Sequence, residues 1–474
     1  MQKLVLSRGT NITLKVKRFL EQSAGGRNPY DCLVFIDTED NVRAIGQDIE
    51  SRFGGAVDSY SPGVILTLPN GEKASKVYVT VYNMYILSTT GKVYATGNNT
   101  DGNCALPAGS GVVDVATPTL TAISNCSKVV ISSARDATYT VMFLTNNGLL
   151  YAAGHNQYGQ IGDGTVTNTG NTGPKLSLGP GNPYGNPTTT VIDAIGVGGY
   201  NVNVYQTFCA LLSNGTVWCV GRGDMGQMGN GTTTVTNSTW KQVQNQATST
   251  ALTNIVRIFG CSRHTGTSLY ALDSSGNLYS WGYNSEGQLG IGSTTNATRA
   301  TLASTNVVDA WPFNAVYGSI IIKKTDGKFY AAGHNVNGQL GVGDTANKTS
   351  FTEITSLNGK NIEQIFIGSG NTPCVFAKAA GTNQIYSTGA NTYGNCGLYT
   401  TVASITSFTE VPFNISSPII DIMPITTEGI GISTFILTAD GNTYFAGQSR
   451  WSYVGEPARN EAIFRKNTKY IVGA

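Results

Sequence analysis

The stretch Leu278-Tyr-Ser-Trp-Gly-Tyr-Asn-Ser-Glu-Gly-Gln-Leu-Gly-Ile-Gly292 decides the fold, because its pattern recurs from near one end of the chain to near the other. With Gly282 as origin, a turn glycine stands six residues before it (Gly276) and an aromatic three before (Tyr279). A glycine follows five after (Gly287), an apolar side chain seven after (Leu289) and another glycine eight after (Gly290). Equivalents of Gly282 fall at Gly46, Gly97, Gly154, Gly221, Gly333, Gly389 and Gly447, at spacings of 51 to 67 residues. The seventh position on is apolar in every unit: Phe53, Cys104, Ile161, Met228, Leu289, Leu340, Cys396 and Val454. The sixth back is a turn former in every unit (Asp40, Gly91, Gly148, Gly215, Gly276, Gly327, Asn383, Gly441). The third back is aromatic except at Arg43.

Each unit reads as a β-hairpin. Ser268 to Leu272 leads into a turn at Ser275-Gly276, where glycine supplies the positive φ of a tight hairpin, and the chain returns through Asn277 to Trp281 with its side chains alternating between faces. The strand ends at Gly282. An Asn, Asp or Ser commonly stands two residues later (Asp48, Asn99, Asn156, Asn284, Asn335, Asn391, Ser449), where it can bond the backbone of a turn. The residue seven on is expected to plug into the sheet beneath.

A period of 50 to 60 residues with three or four strands per unit implies a β-propeller or a linear array. Closure into a ring is favoured because it leaves only short, protected edges. The fold class is therefore all-β, a closed propeller of four-stranded blades. The units also resemble the regulator of chromosome condensation repeat family, whose strand pair ends in Trp-Gly and is followed by a Gly-Gln-Leu-Gly loop. That signature stands at Trp281-Gly282 with Gly287 to Gly290 and at Gly338 to Gly341, and in variant form at Gly159 to Gly162 and Gly226 to Gly229. The resemblance covers roughly residues 30 to 460 and implies a seven-bladed propeller, whereas eight hairpins are counted. The reading leans to about seven blades, with eight as the alternative. In both, residues 462–472 should pair with an N-terminal strand near Ile12 to Leu20 and close the ring. Residues 1–29 form a terminal anchoring segment and residues 30–474 the propeller.

Composition agrees with this class. Charged residues make up 12% of the 474, against about 25% in an average soluble protein, and Gly (58) is abundant. Long surface helices need more charge than that. The formal charge of +2 argues for neither nucleic acid nor membrane as a partner. No apolar run reaches the roughly 18 residues of a membrane helix, and the first ten residues lack the apolar core of a secretory signal.

The chemistry-bearing residues are few. His155 and His334 share the slot after the repeat glycine with Tyr283 and Ala390, which reads as a solvent or turn position; no metal site is expected. Gly221 to Gly226 spells G-x-G-x-x-G and contains Arg222-Gly223-Asp224, but no helix follows to receive a phosphate, so it reads as another copy of the loop. The eight cysteines have no C-x-x-C spacing, and Cys104 and Cys396 fill the plug position. Cys209 and Cys219 flank the Asn214-Gly215 turn on adjacent strands, within reach of a disulfide, although a chain folding in cytoplasm would keep free thiols. No catalytic, cofactor or metal residues are assigned.

Binding is sought where the register breaks. Residues 165–190 are rich in Thr, Asn, Gly and Pro without a strand or helix pattern, so an exposed loop is expected, with Asn182, Tyr184 and Asn186 as candidate contacts. Trp240, Trp451 and Tyr453 lie outside the repeat's aromatic slot and are read as exposed aromatics. The functional expectation is a non-enzymatic structural or binding propeller: a bacteriophage virion protein, for capsid decoration or tail and host attachment. It would be made in host cytoplasm, join other virion proteins through its termini, and meet a host glycan or protein on a loop face. The alternative is a cytoplasmic protein-interaction propeller or, as the family resemblance implies, a guanine-nucleotide exchange factor for a small GTPase.

Overall fold

A computed structural model describes residues 16–19, 32–46, 59–80, 82–132, 138–179, 189–198, 206–262, 266–313, 317–370, 373–427, 431–449 and 459–466. Its strands fall into eight sheets, each built on an antiparallel meander of four strands, and the two-residue strand Ser369–Gly370 adds to the last of them in parallel, beside Ile425 and Thr426. Numbered along the chain, the blades span residues 16–66, 74–120, 126–178, 191–242, 255–304, 307–353, 362–410 and 419–466. Eight blades match the eight hairpins counted from the repeat, so the lean towards seven gives way to the alternative.

Blade 5 shows how the sequence builds a unit. Its strands are Ile255–Ser262, Thr267–Asp273, Leu278–Gly282 and Ala297–Ser304. Leu269 pairs with Trp281 and Ala271 with Tyr279. The turn is tied by Asp273, whose Oδ1 accepts the backbone N–H groups of Ser275 (2.9 Å) and Asn277 (2.8 Å). Gly282 has φ +94°, and a Cβ there would stand 2.6 Å from the Thr267 carbonyl oxygen. Only glycine fits both constraints. In blade 7 the turn slides by two residues: Gly381 takes the positive φ (+68°), and Asn383 instead accepts the Ile419 N–H and donates to the Ser417 carbonyl.

The first strands of blades 3 and 4, 4 and 5, 5 and 6, and 7 and 8 lie beside one another, which places them innermost. The apolar clusters bridge neighbouring sheets, and the plug residues Cys104, Ile161, Met228, Leu289, Leu340 and Cys396 are fully buried in them. Each such aliphatic side chain contributes about 1.5–3 kcal/mol by leaving water.

Ring closure differs from the expectation. Arg459–Lys466 pairs with Thr443–Ser449 in blade 8, and Val16–Phe19 pairs with Cys32–Asp37 in blade 1. Blade 1 meets blade 8 by packing, its first strand lying beside Ile419–Thr427 and Gly431–Thr438. Each end of the described chain completes its own four-strand sheet, so neither blade lacks a strand for the other terminus to supply.

A second correction concerns residues 165–190. Lys175–Leu178 is the fourth strand of blade 3, with Leu150 opposite Leu178 and Tyr151 opposite Leu176. Pro174 and Gly179 cut it to four residues, too short for alternation to show.

The repeat glycine at +5 makes a close blade-to-blade approach, and this gives a graded test. A Cβ on Gly287 would lie 2.6 Å from Thr349 Cα in blade 6, whereas one on Gly343 meets nothing within 4 Å although φ is +97°. Gly343→Ala should cost about 1–2 kcal/mol through left-handed strain alone. Gly287→Ala should cost at least about 3 kcal/mol, since backbone must move as well; denaturant midpoints of the two variants check the order.

Candidate functional site

The loops joining third to fourth strands all leave the same edge of the ring, because every blade is the same up-and-down meander. They carry the polar residues that recur from unit to unit.

Beneath the loops of blades 2, 3, 5, 6 and 7 lies a buried asparagine, two residues after the repeat glycine. Asn284 Oδ1 accepts the N–H of the plug residue Leu289 (2.9 Å), while its Nδ2 donates to the carbonyls of Ser293 and Thr295 (2.9 Å each). Asn335 does the same for Leu340, Asp344 and Ala346, and Asn156 for Ile161, Thr165 and Thr167. Asn99 and Asn391 hold Cys104 and Cys396 in the same way. A second asparagine twelve residues on closes the loop: Asn168, Asn296 and Asn347 accept the backbone N–H groups of Asn156, Asn284 and Asn335. Gln160, Gln227, Gln288 and Gln339, all fully buried, accept the N–H two residues before them.

Blade 4 reaches the same end from the opposite strand. Its slot holds Gly223, and Asn237 on the fourth strand donates instead to the Gly221 (3.1 Å) and Thr234 (2.8 Å) carbonyls. A Cβ on residue 223 would stand 2.7 Å from the Asn237 amide nitrogen. Arg222 and Asp224 pair with each other (2.7 Å) and are largely covered, with Arg222 also stacked 4.9 Å over the Tyr158 ring of blade 3. The Arg-Gly-Asp run is thus part of the scaffold, and its charged ends are engaged internally.

Each loop is then locked to the next blade. The N–H groups of Gly164, Gly231, Gly292, Gly343 and Tyr399 donate to carbonyls of the following blade's fourth strand at 2.8–2.9 Å. The +8 glycines Gly162, Gly290, Gly341 and Gly397 lie under Trp240, Phe351, Phe408 and Phe464 of those strands. Trp240, expected to be exposed, is therefore 4% accessible, with its Nε1 donating to the Ser177 carbonyl (2.9 Å). It covers the loop of the preceding blade. Asn182, Tyr184, Asn186, Trp451 and Tyr453 lie outside the described residues.

The two described histidines also bind the ring together. His155 Nδ1 lies 3.2 Å from Asp101 of blade 2. His334 is buried, stacked on Tyr317 at 4.2 Å and bonded to Gln339, so its slot is an interior position and the expectation of a solvent or turn position is revised. His264 lies outside the described residues. Among the described residues no group of His, Cys, Asp and Glu is placed to hold a metal.

Cys209 and Cys219 are disulfide-bonded across the second and third strands of blade 4. Burial pushes the Cys126 thiol up to about 12 and raises that of Cys104 further.

Among the exposed residues of this loop face are several apolar ones. Val113, Val166, Val235, Val336, Tyr399 and Val402 are 45% to 66% exposed, at the loops of blades 2, 3, 4, 6 and 7. Sequence reading missed them, because single valines in Thr/Asn-rich loops carry no periodic signal.

The regulator of chromosome condensation (RCC1) repeat profile matches residues 275–309 and 326–375, and a second profile of the same description matches 204–227. The X-linked retinitis pigmentosa GTPase regulator of Canis lupus familiaris is 33% identical over 123 residues, covering 26% of this chain and 12% of its own. The ultraviolet-B receptor UVR8 of Arabidopsis thaliana is 30% identical over 207 residues, 40% of each chain. This chain thus spans less than half the length of these curated relatives. Yeast RCC1 (Prp20), solved bound to Kap60, superposes with a TM-score of 0.53 at 15% identity, covering 79% of this chain and 83% of its own; that likeness concerns the fold.

Two measurements test the site. Asn335→Ala orphans the Leu340 N–H and two loop carbonyls and should lower stability by about 2 kcal/mol or more, whereas Val336→Ala beside it should stay within about 0.5 kcal/mol. Because the thiolate is the reactive form, Cys104 and Cys126 should resist iodoacetamide at pH 8 in the native protein and react once it is unfolded; peptide mass mapping reads both states.

Proposed function

Because this chain is an RCC1-like repeat β-propeller, we propose that it is a non-enzymatic binding module that contacts a protein partner through the loop face of the ring. The exposed apolar loop tips carry this reading. Val166, Val235, Val336, Tyr399 and Val402 stand on a rigid ring whose buried loop asparagines are spent on its own backbone. Loops positioned by a rigid scaffold are common binding surfaces. The segment 165–190, with Asn182, Tyr184 and Asn186, belongs to the same proposal as an additional contact, as do Trp451 and Tyr453.

The setting proposed for this module is a virion, as a capsid-decorating or tail protein that joins other virion proteins through its termini. Supporting it are the 12% charge content and the Gly-rich composition, which suit a surface outside the cell. Among the described residues, no helix is long and apolar enough to cross a membrane. The second reading is regulation of a small GTPase inside the cell, favoured by the 33% identity to a GTPase regulator over 123 residues.

Mass spectrometry of purified phage particles from the cells that make this chain should find it in fixed ratio to a capsid or tail protein. Its absence from the particles rejects the virion setting. Added to nucleotide-loaded small GTPases, the purified chain should leave release rates unchanged; an acceleration of an order of magnitude or more would favour the second reading.

A further inference from the structure

We propose a binding site for a neutral saccharide in the cleft between the outer parts of blades 2 and 3, with Tyr151 as its stacking platform and Asn125 and Asn147 as its hydrogen-bonding rim. The cleft has a volume of about 530 Å³, within the range of roughly 300–1,000 Å³ typical of small-ligand pockets. It stands apart from the apolar loop tips and does not depend on the reading given for them.

The walls are preformed. On one side, the short 3-10 turn Gly170–Thr172 of blade 3 is fastened to the loop of blade 2. Gly109 N–H donates to the Asn171 carbonyl (2.9 Å), Gly111 N–H to Asn171 Oδ1 (2.8 Å), and Gly170 N–H to the Asp101 carbonyl (2.9 Å). On the other side, Asn125 links blade 2 to blade 3 in a left-handed conformation (φ +57°). It accepts the backbone N–H of Asn146 (2.9 Å) and, through Oδ1, the Asn146 side-chain amide (2.7 Å). A guest would find the site already ordered, so little of its binding energy would go into arranging side chains.

The chemistry of the lining selects the guest. No Asp, Glu, Lys, Arg or His lines the cleft, so nothing there pairs with a phosphate, a carboxylate or an ammonium group. The carbonyl oxygens of Asn125 and Asn147 are used within the walls, by Asn146 and Thr145, which leaves their NH2 groups as donors. Ser124 and Thr172 add hydroxyls. The half-buried Tyr151 ring offers an aromatic face of the kind on which the C–H face of a pyranose rests, with a polar edge at its hydroxyl.

Three other blades cover the aromatic at the equivalent position. The repeat places an aromatic at the same third-strand position in six other units, and in blades 6, 7 and 8 its ring is covered. Lys324 lies 4.6 Å over the Tyr330 ring, Lys360 lies 5.1 Å over Tyr386, and Phe413 packs edge-on against Tyr444 at 4.9 Å. Tyr151 has the lining of this cleft in place of such a cover.

The test is saturation-transfer difference NMR on the full chain with D-glucose, D-galactose, D-mannose and N-acetyl-D-glucosamine, and with glucose 6-phosphate as a charged probe. At least one neutral sugar should receive transfer at millimolar concentration and the phosphate ester should bind no better than glucose. Tyr151→Ala should weaken the bound sugar tenfold or more, Asn147→Ala several-fold, and Tyr330→Ala, at the same repeat position in blade 6, not at all. Asn147 sits on an exposed turn, so its variant decides the matter if Tyr151→Ala does not fold. Transfer to none of the neutral sugars, or transfer undiminished in Asn147→Ala and in any folded Tyr151→Ala protein, overturns the proposal.

Discussion

The buried asparagine under the repeat loops of blades 2, 3, 5, 6 and 7 is the interaction on which the ring depends. The loop turns back over its own sheet, which takes the plug residue's N–H and several carbonyls out of water, and a buried backbone group without a partner is costly. Asn284 satisfies one N–H and two carbonyls with a single side chain. Aspartate has no donor for the carbonyls and leucine has neither function, so the amide is the chemistry that the geometry selects. Blade 4 supports the same argument: it gives up the asparagine at its own slot, places Gly223 there, and brings in the amide of Asn237 from the neighbouring strand.

Once the loop is held, the ring follows. A fixed loop sets the plug in the sheet and presents two glycines and an N–H to the next blade, so the same device that folds one unit also joins it to its neighbour. Aromatic side chains on the fourth strands, Trp240, Phe351, Phe408 and Phe464, complete the joint from the other side. Blades 1 and 8 meet by packing rather than by a shared strand. This construction leaves the repeat's conspicuous residues little freedom for ligands. Binding is therefore proposed at the apolar loop tips and in the cleft beside Tyr151.

The residues legible from sequence were those under a constraint repeated in every unit. Gly282 and its equivalents, the hairpin turns and the plug positions stood out because any other residue at Gly282 would collide with the Thr267 carbonyl, and because Leu289 must be apolar to be buried. Features set by partners distant in sequence were not legible. Trp240 resembled a stray aromatic because its target, Gly162, lies in another blade. The strand Lys175–Leu178 was hidden between Pro174 and Gly179, and is defined by pairing with Leu150 and Tyr151. His334 was read as a turn position since the stacking partner Tyr317 belongs to a connection between other strands. The blade count turned on whether the degenerate first unit forms its own sheet; it does, through Val16–Phe19 and Cys32–Asp37.

The central claim is that the repeat loops belong to the cooperative core, although they connect strands at the surface. Native-state amide hydrogen exchange at the plug residues Ile161, Leu289 and Leu340 tests it most directly. If the buried asparagines hold these N–H groups, each should exchange only through global unfolding, with the same protection as the central-strand amides of Leu269 and Ile321. Exchange at the rate of the exposed loop amides, with the strands still protected, would contradict the account.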